Sequence, residues 1–138
     1  MRRLLFVGLL AGCLDGGGCS TEPPPECLAV APDTACLPQY PPTFTNVYKN
    51  TLQPNCGYMD GSCHSASGRA GGLSFQDQDT AYAGLLNGIR VKPMNPTCSE
   101  MIVRATSPGK DYQMPPGDAL SEPEQCALVQ WVQMGAMP

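Results

Sequence analysis

Apolar side chains return at helical spacing in four stretches of the chain. Phe44, Val47, Tyr48 and Leu52 share one face of a first predicted helix, with Thr43 or Thr45 as its cap and Pro54 as its end. A second helix is predicted from Asp77 to Asn87. Its apolar stripe is Ala81, Tyr82, Leu85 and Leu86, and Gly88 suits its C-terminal stop. A third is predicted to begin at Thr97. Glu100 lies three residues on, the spacing of a capping box, in which hydroxyl and carboxylate each satisfy a free backbone N–H. Met101, Ile102 and Ala105 are then expected to face inward. The fourth repeats the device with Ser121 and Glu124, tolerates Pro123 in its first turn, buries Leu128, Trp131 and Val132, and stops at Gly135. No segment alternates as a strand, and there is no internal repeat or coiled coil. The prediction is a compact all-α domain over residues 43–138, about four short helices joined by two long loops, Cys56–Phe75 and Ser107–Leu120.

Composition sharpens this picture. Charged residues are only 14%, while Gly and Pro number 15 each, which favours loops over long regular elements. A domain of roughly 95–100 residues is small for a self-sufficient core, so covalent aid from disulfides or a cofactor is expected. Eight cysteines point to an oxidising compartment. The net charge of −4, with no basic cluster beyond Arg2 and Arg3, argues against nucleic-acid partners, because nothing would neutralise phosphates. Arg2-Arg3, the apolar run Leu4–Leu10 and Ala11-Gly12-Cys13 read as a secretory signal over residues 1–12, with an ordinary cleavage elsewhere as the alternative. Leu10-Ala11-Gly12-Cys13 is similar to the bacterial lipobox, whose cysteine is lipidated and becomes the mature N-terminus. Gly16-Gly17-Gly18-Cys19 lacks the large apolar residue such a site starts with. The apolar run is too short to span a bilayer. The expected location is therefore extracytoplasmic, in the periplasm or at the cell surface, with the membrane held through a lipid on Cys13. Residues 13–42 read as a Gly/Pro-rich tether, flexible at Gly16–Gly18 and extended at Pro23–Pro25. Cys27 and Cys36 within it are placed to close a small disulfide loop.

The chemistry concentrates around one histidine. His64, the sole His, directly follows Cys63, and Met114-Pro115-Pro116 comes fifty residues later. A Cys-His dipeptide with a distant Met beside prolines is how a c-type haem is held: thioether to the porphyrin, imidazole on one side of iron, Met sulfur on the other. The usual motif has a second cysteine three residues before the first; here that position is Asp60, and Cys56 gives Cys-x6-Cys-His. Three states follow from that spacing: both thiols on haem, one thioether from Cys63, or a Cys56–Cys63 disulfide in a haem-free protein. Enzymatic readings are weak. A single His without a placed carboxylate makes no triad, Asp77 and Asp79 read as helix-start residues, and no Gly-rich phosphate loop follows a strand. Cys63, His64 and Met114 suit copper by softness, yet a blue-copper site needs a second His.

From Phe44 onward the chain resembles the small cytochrome c-like domains of planctomycete and myxobacterial secreted proteins. The matching pieces, in order, are an opening helix ending in Cys56, Cys63-His64-Ser65, and Gly71-Gly72-Leu73-Ser74-Phe75. After these come Val91-Lys92-Pro93, Cys98-Ser99-Glu100-Met101-Ile102, Met114-Pro115-Pro116-Gly117, Leu120-Ser121, and Trp131-Val132 with Gly135-Ala136. The resemblance implies haem c with His64 and Met114 as axial metal ligands and Cys63 as a thioether, with Cys56 as the second thiol out of register. It implies an electron carrier without catalytic residues, served by redox protein partners, with an apolar pocket from Leu73, Phe75, Leu85, Ile102 and Trp131. In such a fold Cys98 and Cys126 are expected near each other and form a disulfide, which leaves Cys27 to Cys36, with Cys19 unpaired or bonded to another chain once Cys13 is lipidated. The alternative function is a haem-free, disulfide-stapled lipoprotein with a structural or interaction role.

Overall fold

The computed structural model describes residues 23–57 and 63–138; the expected signal peptide, Cys13 and Cys19 lie outside them. The described residues contain helices and no strand, as the periodicity predicts. Helix α1 (Phe44–Val47) starts at Thr43, whose hydroxyl accepts from the Asn46 N–H at 3.4 Å. It does not end at Pro54. It widens into a π-helix, Tyr48–Gly57, with Pro54 inside. A proline ring clashes with the carbonyl four residues back and offers no N–H, so the wider register accommodates it where an α-helix would break. Two asparagines take up carbonyls along this stretch. The Asn50 amide donates to the Asn46 carbonyl at 2.9 Å, and the Asn55 amide to the Thr51 carbonyl at 2.9 Å.

Helix α2 (Gln78–Asn87) is capped by Asp77, which accepts from the Thr80 N–H at 2.8 Å. Helix α4 (Glu122–Gln133) carries the full Ser121/Glu124 capping box with Pro123 in its first turn. Helix α3 (Glu100–Ala105) departs from its prediction. Thr97 sits in a separate 3-10 turn, Pro96–Cys98, and Glu100 does not reach back to it. The Glu100 carboxylate instead pairs with Arg104 one turn on, at 2.9 Å. The chain is turned there by Asn95, which accepts from the Cys98 N–H, and by buried Ser99, whose hydroxyl accepts from the Lys92 N–H at 2.8 Å.

Helix α4 packs against α1 and α3. Phe44 lies 5.0 Å from both Tyr82 and Trp131 by ring centroid. Trp131 and Phe44 are fully buried, as are Leu85, Ile102, Leu128 and Val132. The C-terminal tail closes over this cluster: the Trp131 indole N–H donates to the Met137 carbonyl at 2.8 Å and the Tyr82 hydroxyl to the Ala136 carbonyl at 3.0 Å.

Residues 23–42 depart from the tether reading. They form a strap tied down across the helices. The Leu28 N–H donates to the Thr97 carbonyl at 2.9 Å, the Gln39 N–H to the Pro123 carbonyl at 3.0 Å, and Gln130 holds the carbonyls of Thr34 and Cys36. Two disulfides fix the strap, Cys27–Cys98 and Cys36–Cys126. All four cysteines expected in disulfides are in them, with the pairing crossed relative to Cys27–Cys36 and Cys98–Cys126. The strap runs between the start of α3 and the second turn of α4, so each of its cysteines meets a helix cysteine before it meets the other.

The bridges span sequence separations of 71 and 90 residues. Loops of that size constrain the unfolded chain by about 4–5 kcal/mol each in the chain-entropy model. Replacing Cys36 and Cys126 together by Ala is expected to lower unfolding free energy by about 4 kcal/mol in urea titration. A loss below about 1 kcal/mol would show that the bridge does not constrain the fold.

Candidate functional site

The loops leave a cavity of about 630 Å³ between α2, α3 and the end of the π-helix. Cys56, Cys63, His64 and Met114 all stand in its wall, with apolar cover from Leu73, Phe75, Leu85 and Leu128. Residues drawn from positions 56 to 128 thus meet at one concavity, within the ~300–1,000 Å³ typical of cofactor sites. Ile102 and Trp131, expected in this pocket, do not line it; both are fully buried in the core, where the Trp131 ring lies 5.0 Å from Phe44.

Cys56 comes from the last turn of the π-helix. That helix end lies against the chain at Phe75, and Gly57 makes the approach feasible: a Cβ there would sit 2.8 Å from the Phe75 Cβ. The Tyr48 hydroxyl donates to the Gln76 carbonyl at 3.0 Å beside it. Cys63 and His64 open a turn held by its own polar groups. The Phe75 N–H donates to the His64 carbonyl at 2.7 Å, the Gly68 N–H to the buried Ser65 hydroxyl at 3.0 Å, and the His64 ring meets Phe75 edge-on at 5.2 Å.

Met114 is positioned by its neighbour. Gln113, buried, accepts from the Gly109 N–H at 2.6 Å and donates to the carbonyls of Pro115 and Gly117 at 2.8 and 2.9 Å. The Met114 N–H donates to the Arg104 carbonyl at 3.1 Å, which ties this loop to α3. One side chain therefore satisfies three backbone groups of a segment without regular structure.

The cavity's electrostatics are uneven. Burial holds the His64 imidazole below the usual histidine range, nearby carbonyls of Leu73 and Ala70 oppose this, and the Arg90 and Arg104 cations add to the lowering. Those carbonyls do not reach hydrogen-bond geometry at Nδ1, which is buried and has no partner. A neutral imidazole with an unengaged nitrogen is the form that binds a metal. Burial, with the Glu124 carboxylate adding, pushes the Cys56 thiol up to about 12. Cys56 is a free thiol, whereas Cys63 is disulfide-bonded. A Cys56–Cys63 bridge, one of the three states allowed by the spacing, is therefore not the one formed. Among the described residues no three His, Cys, Asp or Glu side chains gather as a metal cage.

Sequence reasoning singled out Cys56, Cys63, His64 and Met114 from their types, their spacing and the family resemblance, and all four stand in the wall. It missed Gln113, Arg90 and Arg104. Gln113 had a faint signal, a polar residue enclosed by Gly and Pro positions that need their backbone groups satisfied. The arginines had none, since an isolated Arg in a loop or on a short helix reads as surface.

The raised pKa lowers the thiolate fraction of Cys56 in the folded protein. Its native form keeps the proton up to pH about 12, so this group contributes stability below the unfolded thiol's range that fades as pH climbs toward the native value. Iodoacetamide at pH 8.5 is expected to alkylate Cys56 at least tenfold more slowly in native than in urea-unfolded protein, by peptide mass spectrometry, as 1.36 kcal/mol per pKa unit requires. Equal rates would show an exposed thiolate.

Residues 61–118 match the family model described as Planctomycete cytochrome C. Neither the curated proteins nor the solved structures gave a match. The matched stretch opens just before Cys63-His64 and closes just after Met114-Pro115-Pro116, so it takes in most of both loops that line the cavity and leaves out Cys56. This match, over less than half of the chain, and the helical fold support a cytochrome c-like domain.

Proposed function

We propose that this domain carries single electrons through a c-type haem held between His64 and Met114. The observation that supports it most is the convergence of His64, Met114, Cys56 and Cys63 on one cavity whose wall is otherwise largely apolar. The residues fit the group. His64 and Met114 would supply imidazole and thioether donors to the iron, Cys56 and, once reduced, Cys63 would supply the attachment thiols, and the buried Nδ1 of His64 lacks a partner. When bound, haem supplies the one-electron iron couple. The chain does the rest. His64 stays neutral through burial, Gln113 fixes the backbone that presents Met114, and Leu73, Phe75, Leu85 and Leu128 keep water away, which favours a higher potential. Thioether formation at Cys63 requires that its disulfide be reduced first.

In this reading the domain is no enzyme. It is carried outside the cytoplasm by the N-terminal signal, held at a membrane by a lipid on Cys13, and exchanges electrons with redox proteins. A second reading is favoured by the oxidised state of Cys63. There the protein is a haem-free lipoprotein module, and the disulfides hold the scaffold for a structural or interaction role.

The deciding experiment is an absorption spectrum of protein produced in a bacterial periplasm with c-type maturation machinery, before and after dithionite. The electron-carrier reading expects a sharp reduced α band that survives acid-acetone extraction and disappears in His64→Ala. A colourless protein whose mass carries disulfides and no porphyrin would overturn it in favour of the second reading.

A further inference from the structure

We propose that Arg90 is the anion-recognition residue of the cavity and receives a carboxylate of the tetrapyrrole, an inference that rests on the haem reading above. Two guanidinium groups stand in the cavity wall, those of Arg90 and Arg104. They differ in their partners. Arg104 is neutralised by Glu100 at 2.9 Å and also donates to the Tyr112 carbonyl at 3.2 Å. Arg90 is held by neutral acceptors. Its Nη1 donates to the Gly84 carbonyl at 3.0 Å and its Nη2 to the Gly71 carbonyl. Among the described residues the Arg104–Glu100 contact is the one ion pair, so Arg90 has no acidic partner there.

The surroundings are shaped to seat this cation. Gly88 leaves the space through which the Arg90 side chain passes, since a Cβ at that position would collide with Nη1. Gly71 adopts a φ of +62°, a left-handed conformation open to glycine, and its carbonyl meets Nη2. A half-buried guanidinium oriented by two carbonyls, with donors left over and no counter-charge among the described residues, is costly beside an apolar wall unless an anion arrives. Guanidinium pairs with a planar carboxylate through two parallel hydrogen bonds. Haem presents that chemistry: a broad apolar ring bearing carboxylates at one edge. The apolar wall matches the ring, and the unpaired Arg90 matches one carboxylate, while Arg104 is already satisfied.

The test uses the full chain produced without haem-attachment machinery. Metal-free protoporphyrin and its dimethyl ester are titrated in separately, with binding read by fluorescence, so iron ligation plays no part. The wild-type protein is expected to bind the dicarboxylate roughly tenfold or more tighter than the diester, the scale of a charge-assisted pair. Arg90→Gln is expected to remove that preference, Arg104→Gln to keep it, and Arg90→Lys to restore part of it. Wild-type protein that binds ester and acid equally overturns the proposal without any variant, whatever the folding of Arg90→Gln. So does a preference that survives in Arg90→Gln. Haemin titrated in parallel separates the two levels. A His64-dependent haem spectrum with no ester discrimination removes Arg90 alone, whereas no binding of any porphyrin removes the haem reading and this inference together.

Discussion

The fold depends on the strap of residues 23–42 being covalently fixed to two helices. A body this small that keeps a cavity of about 630 Å³ inside it gives up packing that most domains of its size use. The helices cannot make up the difference by themselves, because α1 and α3 are only 4 and 6 residues long and such lengths have little stability of their own. Cys27–Cys98 and Cys36–Cys126 supply the missing constraint. They also act on the site. Cys98 sits just before α3 and Cys126 within α4, on either side of the Met114 loop. Both ends of that segment are therefore held to one strap, and the loop between them needs only local polar contacts to keep its shape.

Those contacts replace regular structure around the cavity. Gln113 serves three backbone groups, Ser65 and Ser99 tie their turns, and Arg90 bridges the carbonyls of Gly84 and Gly71. Each is a buried or half-buried polar side chain spent on a main chain that has no ladder to satisfy it. This explains a composition rich in Gly and Pro yet able to hold a defined concavity. The exception is informative: the Nδ1 of His64 is buried without a partner in a region where nearly every other polar atom is engaged. An orphan of that kind costs stability, which makes His64 a candidate functional position.

Legibility in the sequence followed the range of the interaction. Helices α2 and α4 could be read because Asp77 and the Ser121/Glu124 pair act within three residues. The Thr97/Glu100 pair has the same spacing, but Arg104 lies four residues beyond Glu100 and offers a stronger partner, so the carboxylate turns forward. Pro54 reads as a stop under α-helical rules and becomes an interior residue only when the register widens, which no local pattern announces. Disulfide pairing was out of reach for a different reason. Which cysteine meets which depends on where the strap lies, and the strap is placed by contacts such as Leu28 with Thr97 and Gln39 with Pro123. The corners of the cavity could be read because Cys-His and Met-Pro-Pro are chemically unusual. Trp131 and Ile102 were assigned to its wall since apolar residues look alike in sequence; only the tertiary packing places them in the core instead.

Cys63 is where fold and function bear on the same atom. A sulfur in a disulfide offers no thiol to a porphyrin vinyl group, and a sulfur in a thioether cannot close a disulfide. Cys27–Cys98 and Cys36–Cys126 are compatible with either outcome, because neither pair lines the cavity. Cys56 is also compatible with either, since its thiol is free and faces the same space. The oxidised scaffold can therefore be complete except at one position, and the state of that position decides between a stapled module and a site open to covalent haem. If the cavity holds a haem as proposed, a thioether at Cys63 would need that sulfur as a thiol, so the disulfide in which Cys63 stands would first have to be reduced.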